Sequence, residues 1–185
     1  MIKDVINDMQ EHMAKTIDTL RREYQKIRTG RATTSLLDDI RVDYYGNPSP
    51  ISAVATLAVP EARTITISPW ESKMIPVIEK AIMNSNIGLT PSNDGKLIRL
   101  ILPALNEERR KEIVKDLRRK AEDDKIALRN IRRDAIDKLK KLEKDKKITE
   151  DELKRGEKEV QDLTDKHVAK VDEVLAHKEK EVMEV

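Results

Sequence analysis

Between Leu105 and Lys147 apolar residues return every three or four positions, with no Pro or Gly to interrupt them. Ile113, Leu117, Ala121, Leu128, Ile131, Ala135, Leu139 and Leu142 therefore share one face of a helix. At 1.5 Å per residue this helix would run roughly 60 Å, too long to stand without partners along its length. Asn106 is placed to cap it, and Glu107 and Glu108 suit the positive end of its dipole.

Two further stripes supply those partners. Ile2, Val5, Ile6, Met9, Met13, Ile17, Leu20, Tyr24 and Ile27 mark a helix over Met1 to Thr29, with Gly30 as its C-terminal cap. A last helix carries Leu153, Val160, Leu163, His167, Val171, Val174, Leu175 and Val182 on one side. Thr149 and Glu152 open it as a capping box, and Gly156 either weakens it or lets a neighbour approach closely.

Residues 31–104 change period. Ile40, Val42 and Tyr44 alternate with polar residues, Val54 to Val59 is a short apolar run, and Thr64 to Ser68 alternates again. Tyr45 to Pro50 reads as turn material. Ser72 is placed to cap a helix running to about Asn84, with Ile78, Ile82 and Met83 on its apolar side. Lys96 to Leu102 is a final strand ended by Pro103.

The fold class that follows is α+β. A discontinuous three-helix bundle spans 1–30 and 105–185, and a small α/β domain spanning 31–104 is inserted into it. Helices one and two pack together, so the insert hangs on two adjacent chain segments. Hinges are expected at Gly30, Arg31, Pro103, Ala104 and Leu105.

Composition sharpens this picture. Charged residues make up 39% of the chain and aromatics 2%, which suits long amphipathic helices better than a broad sheet core. Cysteine is absent, which removes disulfides, thiolate metal sites and a Cys nucleophile and is compatible with the cytoplasm. No apolar run approaches membrane-spanning length. His12, His167 and His177 do not share a face, no glycine-rich phosphate loop is present, and the paired acids sit among lysines. No catalytic residue, metal site or cofactor is expected, and the chain does not read as an enzyme.

The net charge of +2 hides a separation. Residues 105–147 hold 17 Lys+Arg against 11 Asp+Glu, and residues 148–185 hold 7 against 12, while 31–104 balances at 7 against 7. On a helical wheel with Arg118 at zero, Lys111, Arg118, Lys125, Arg129, Arg132 and Lys140 fall within about 40° of it, beside the buried seam. Arg133 joins Arg129 and Arg132 in a guanidinium cluster, and guanidinium is the better phosphate ligand. Arg28, in the last turn of the first helix, is open to a purely structural role against the helix dipole. Arg31 lies beyond the cap, where the dipole does not account for it. Trp70 is expected to pack under the insert, and Tyr44 and Tyr45 are open to the same role. With so few stacking platforms, an RNA partner would be folded RNA read by shape and backbone. A coiled-coil adaptor without RNA is the competing class, because the opposed charges of helices two and three could simply pair inside the bundle.

The order of motifs resembles the bacterial ribosome recycling factors. Lys26-Ile27-Arg28-Thr29-Gly30-Arg31-Ala32, Val42 to Gly46, Val77 to Ile82, Gly88-Leu89, Arg99, Leu105 to Lys111, Arg129 to Asp134, Lys144 to Asp151 and Lys178 to Glu181 carry it. Ser68 to Glu71 and Asn93 to Gly95, both in the insert, depart from it. The resemblance implies an L-shaped, transfer-RNA-sized monomer whose bundle lies on the RNA of the large ribosomal subunit. With elongation factor G and GTP hydrolysed by that partner, such a factor splits post-termination ribosomes. It implies RNA contacts by Arg28, Arg31, Arg129, Arg132 and Arg133, to which the charge stripe by itself adds Lys111, Arg118 and Lys125 as candidates. The insert and the joint would face elongation factor G.

Overall fold

The computed structural model describes residues 1–184 and divides into two compact units, 1–28 with 108–184, and 29–107. The first unit consists of α1 (Ile2–Lys26), α3 (Glu107–Lys144, entering the unit at its second residue) and α4 (Glu150–Glu184). Each helix buries the face its periodicity marks. Met13, Leu20, Leu117, Leu128, Leu139, Val160 and Val171 are fully enclosed, and Tyr24 closes the end of the α1 stripe. The Tyr24 hydroxyl donates to the Leu117 carbonyl at 2.6 Å, a bond from one helix to the backbone of the next.

The turn into α4 has the reciprocal cap that Thr149 and Glu152 suggest. The Thr149 amide donates to Glu152 Oε2 at 2.7 Å, and the Glu152 amide donates to Thr149 Oγ1 at 3.2 Å. Gly156 lies buried where α4 meets its neighbours. A Cβ added there would stand 3.0 Å from Leu139 Cδ1 and 3.7 Å from Ile2 Cγ2, so the glycine serves close approach.

α1 ends earlier than its sequence suggests. Ile27 is already extended (ψ 122°), and its N–H donates to the Tyr24 carbonyl at 3.2 Å. The last buried residue of the stripe is Tyr24, and beyond it the helix has no bundle core left to cover. The basic residue of the last turn is therefore Lys26, and Gly30, at φ 77°, lies too far on to cap the helix.

The second unit holds β1 (Arg41–Tyr44), β2 (Asn47–Pro50), β3 (Ala55–Glu61), β4 (Thr64–Pro69), α2 (Met74–Met83), β5 (Ser92–Asn93) and β6 (Ile98–Ile101). Its strands pair antiparallel. β1 and β2 form a hairpin, and the other strands form one sheet in the order β3-β4-β6-β5. Alternation sends Ile65, Ile67, Ile98 and Leu100 to the inner face, where Met74, Ile75, Ile78 and Ile82 of α2 join the same core.

Three local features differ from the sequence expectation. Residues 47–50 are strand rather than turn, because Tyr45 (φ 51°) and Gly46 (φ 82°) complete a two-residue turn by themselves. The prolines at 48 and 50 then fall on a short two-stranded sheet, which tolerates missing donors. Ser72 does not cap α2 with its side chain. The chain enters that helix through backbone bonds, Met74 N–H to the Glu71 carbonyl at 2.9 Å and Ile75 N–H to the Ser72 carbonyl at 3.2 Å. Met83 is exposed, and Met74 and Ile75 fill the inner face instead.

The two ends of this unit are held at one place. Ala32 N–H donates to the Ala62 carbonyl at 2.7 Å, and Leu102 N–H donates to the Arg63 carbonyl at 2.8 Å. Entry and exit segments are thus both pinned to the β3–β4 turn.

Candidate nucleic-acid interface

The basic stripe of α3 is split by its neighbour. Arg118, Lys125 and Arg132 are seven residues apart and so repeat on one line of the helix. Each meets a group of α4. Arg118 Nε donates to Glu179 Oε1 at 2.7 Å, with Nη2 at 3.5 Å from Oε2. Lys125, largely covered, ion-pairs with Asp172. Arg132 Nη1 donates to the Gln161 side-chain oxygen at 3.2 Å. Running antiparallel, the acidic α4 therefore absorbs part of the positive charge of α3. The internal pairing suggested by the opposed charges of the two helices is real for Arg118 and Lys125.

Pairing rather than burial separates these cations, since the Arg118 side chain stays 67% exposed against 47% for Arg129. Arg129 is exposed and ion-pairs along its own helix with Glu122 at 3.3 Å. Arg133 is exposed and forms no ion pair among the described residues. Arg132 lies between them, half-buried, with its Nε buried and without a hydrogen-bond partner among the described residues. Lys111 is exposed near the start of α3, about 27 Å along the helix axis from Arg129, and so stands apart from the arginine cluster. Arg28 and Arg31 are exposed in the segment that follows α1. Because α1 stops at Lys26, Arg28 lies two residues past the helix and not in its last turn.

One acid of α3 is out of place electrostatically. Burial, and then the carboxylates of Glu23 and Asp123, push the Asp124 carboxyl up to about 6 from its ordinary 3.8, with Lys120 opposing them. The folded state therefore holds this proton more tightly than the unfolded chain does. That contribution is complete at low pH and is lost as pH rises from about 4 to 6. Asp124→Asn is expected to stabilise the helical unit above pH 6 by about 1–2 kcal/mol, a figure discounted for partial exposure. Urea unfolding at pH 8 and pH 4.5 checks this, and a gain that is no larger at pH 8 would contradict it.

Of the aromatic residues of the second unit, Tyr44 packs partly buried against the core as the sequence allows, but Trp70 and Tyr45 do not. Trp70 is 67% exposed and Tyr45 is 68% exposed. Trp70 Nε1 donates to Thr56 Oγ1 at 3.1 Å, and the hydroxyls of Tyr44 and Tyr45 each donate to Glu71 at 3.0 Å. Lys73 lies 4.0 Å above the Tyr45 ring. Isoleucines, leucines and methionines fill most of the core of the unit, and Trp70 and Tyr45 are held at its surface by polar bonds. Among the described residues no cluster of side chains could hold a metal ion, and no helix is long and apolar enough to cross a membrane.

Known proteins are similar to this chain over all or nearly all of their length. The family model for ribosome recycling factor matches residues 20–183. The chain is 78% identical to the ribosome-recycling factor of Geobacter sulfurreducens and 74% identical to that of Geotalea uraniireducens, each over the full length of both chains. A solution structure of a ribosome recycling factor matches with a TM-score of 0.74 at 38% identity, covering 100% of this chain and 98% of that one. The T. thermophilus factor, in models with E. coli elongation factor G on the post-termination complex, matches with a TM-score of 0.64 at 42% identity, covering 98% of each chain.

Proposed function

The chain belongs to the ribosome recycling factor family, and we propose that it grips folded RNA of the large ribosomal subunit through Arg129, Arg132 and Arg133, together with Arg28 and Arg31. It is a translation factor and not an enzyme. Its partner in the cytoplasm is elongation factor G, whose GTP hydrolysis supplies the work of separating the subunits. The chain itself contributes a stiff anchor and a smaller unit on which that partner acts. Gly30, Arg31, Pro103, Ala104 and Leu105 form the joint. The left-handed backbone of Gly30 and the pinning of both chain segments to one turn support it.

The observation that carries the RNA contact is the contrast along α3. Arg118 and Lys125 face carboxylates of α4, whereas among the described residues Arg133 forms no ion pair and Arg132 meets a neutral amide, with Arg129 beside them paired to Glu122 of its own helix. Phosphate contacts release counterions, so each lost contact lowers the salt dependence of binding. Arg129→Ala with Arg133→Ala is expected to weaken binding to large subunits about tenfold or more and to reduce the salt slope by about one unit per arginine. Arg118→Ala, whose charge Glu179 already compensates, is expected to do less than Arg133→Ala alone. Co-sedimentation over a potassium chloride series measures this, and splitting of post-termination ribosomes with elongation factor G and GTP gives the functional readout. Equal losses from Arg118→Ala and from the double variant would overturn the assignment.

A further inference from the structure

The seam between α3 and α4 has three rungs of unequal chemistry. Two set a cation against a carboxylate, Arg118 with Glu179 and Lys125 with Asp172. The third sets Arg132 against Gln161, and no carboxylate ion-pairs with Arg132 among the described residues. The orientation of that amide is fixed from both sides. Guanidinium can only donate, so the Gln161 oxygen faces Arg132; carboxylate only accepts, so the Gln161 nitrogen faces Asp165, donating to Oδ1 at 2.8 Å. Arg132 is half-buried with its Nε enclosed, so it has little freedom left once Nη1 is bound.

An amide holds a guanidinium in place without cancelling its charge, which a carboxylate would do. We propose that Gln161, steadied by Asp165, is a positioning residue that aims Arg132 at ribosomal RNA while leaving its full positive charge for a phosphate. This rests on the assignment of Arg132 to the RNA contact. Glutamate keeps the acceptor for Arg132 but loses the donor to Asp165 and sets two carboxylates one helical turn apart, so a residue that merely held the bundle together would lose stability and keep its salt slope. A positioning residue would lower that slope, because the new carboxylate competes with phosphate.

The test is a double-substitution cycle read by co-sedimentation with large subunits across potassium chloride concentrations, with thermal unfolding alongside. Gln161→Leu is expected to weaken binding about three- to tenfold. Gln161→Glu is expected to weaken binding to a similar degree and to lower the salt slope by about one unit, a change of slope that a loss of stability alone does not produce. In an Arg132→Ala background neither substitution should weaken binding further. Parent-like binding by Gln161→Glu, or losses that add in the Arg132→Ala background, would overturn the role of Gln161 alone. Unchanged affinity and slope in Arg132→Ala would overturn the RNA contact and the positioning role together.

Discussion

Tyr24→Ala is expected to cost the helical unit about 3–5 kcal/mol, and Tyr24→Phe about 1–2 kcal/mol. The ring is 3% exposed and lies among fully buried residues such as Leu20 and Leu117. Alanine would leave a cavity the size of a phenol at the end of the α1 stripe, where the helix stops two residues later. The hydroxyl adds the bond to the Leu117 carbonyl, and burial, followed by the nearby carboxylates of Asp124, Glu179 and Glu23, raises its pKa and keeps it a donor. Phenylalanine keeps the packing and loses only this bond, so the two variants separate cavity from hydrogen bond. Chemical denaturation followed by helical circular dichroism reads both. A loss below about 1 kcal/mol for alanine would mean that the helices do not depend on this contact.

Much of the helical unit is legible in its sequence because its long stripes leave little choice. The 38 residues of α3 repeat one pattern, and a register error would expose every large side chain in it. The capping box at Thr149 is equally readable, since both partners lie within one helical turn of each other. Ends and exposed faces are less readable. Nothing in the sequence around Ile27 announces that α1 stops before Thr29; the cause is the end of the core it covers.

The candidate interface is legible as a stripe but not as a cluster. Helical spacing groups Arg118 and Lys125 with Arg129, yet their partners Glu179 and Asp172 lie far along the chain in α4. Opposed net charges hint at pairing without saying which cations it consumes. Gln161 carries no signal, because an uncharged residue on an acidic helix looks like any other solvated position. Trp70 is unreadable for a different reason. Aromatic residues are commonly buried, but in this unit isoleucine, leucine and methionine fill the core.

The separate core of the second unit leads to the other large effect. Ile67 is fully buried on β4, the strand between β3 and β6, and pairs with Leu57 on one side and Ile98 on the other. Ile67→Ala removes most of a side chain where sheet and α2 meet, at a cost of about 2–5 kcal/mol. Domains of this size are stable by only about 4–12 kcal/mol, so the loss takes a large share. Hydrogen exchange should then quicken in β3, β4, β6 and α2, while the amides of α1, α3 and α4 keep their protection. Thr66→Ala, one residue away on the other face of the strand, should change exchange little. The arginine cluster lies on α3 and only Arg31 of the proposed contacts lies in the second unit, so Ile67→Ala should retain most of its affinity for large subunits while losing the ability to split ribosomes with elongation factor G. Loss of protection in α1, α3 and α4 in step with the sheet would show that the two cores unfold as one, and the division of labour between anchor and smaller unit would fall with it.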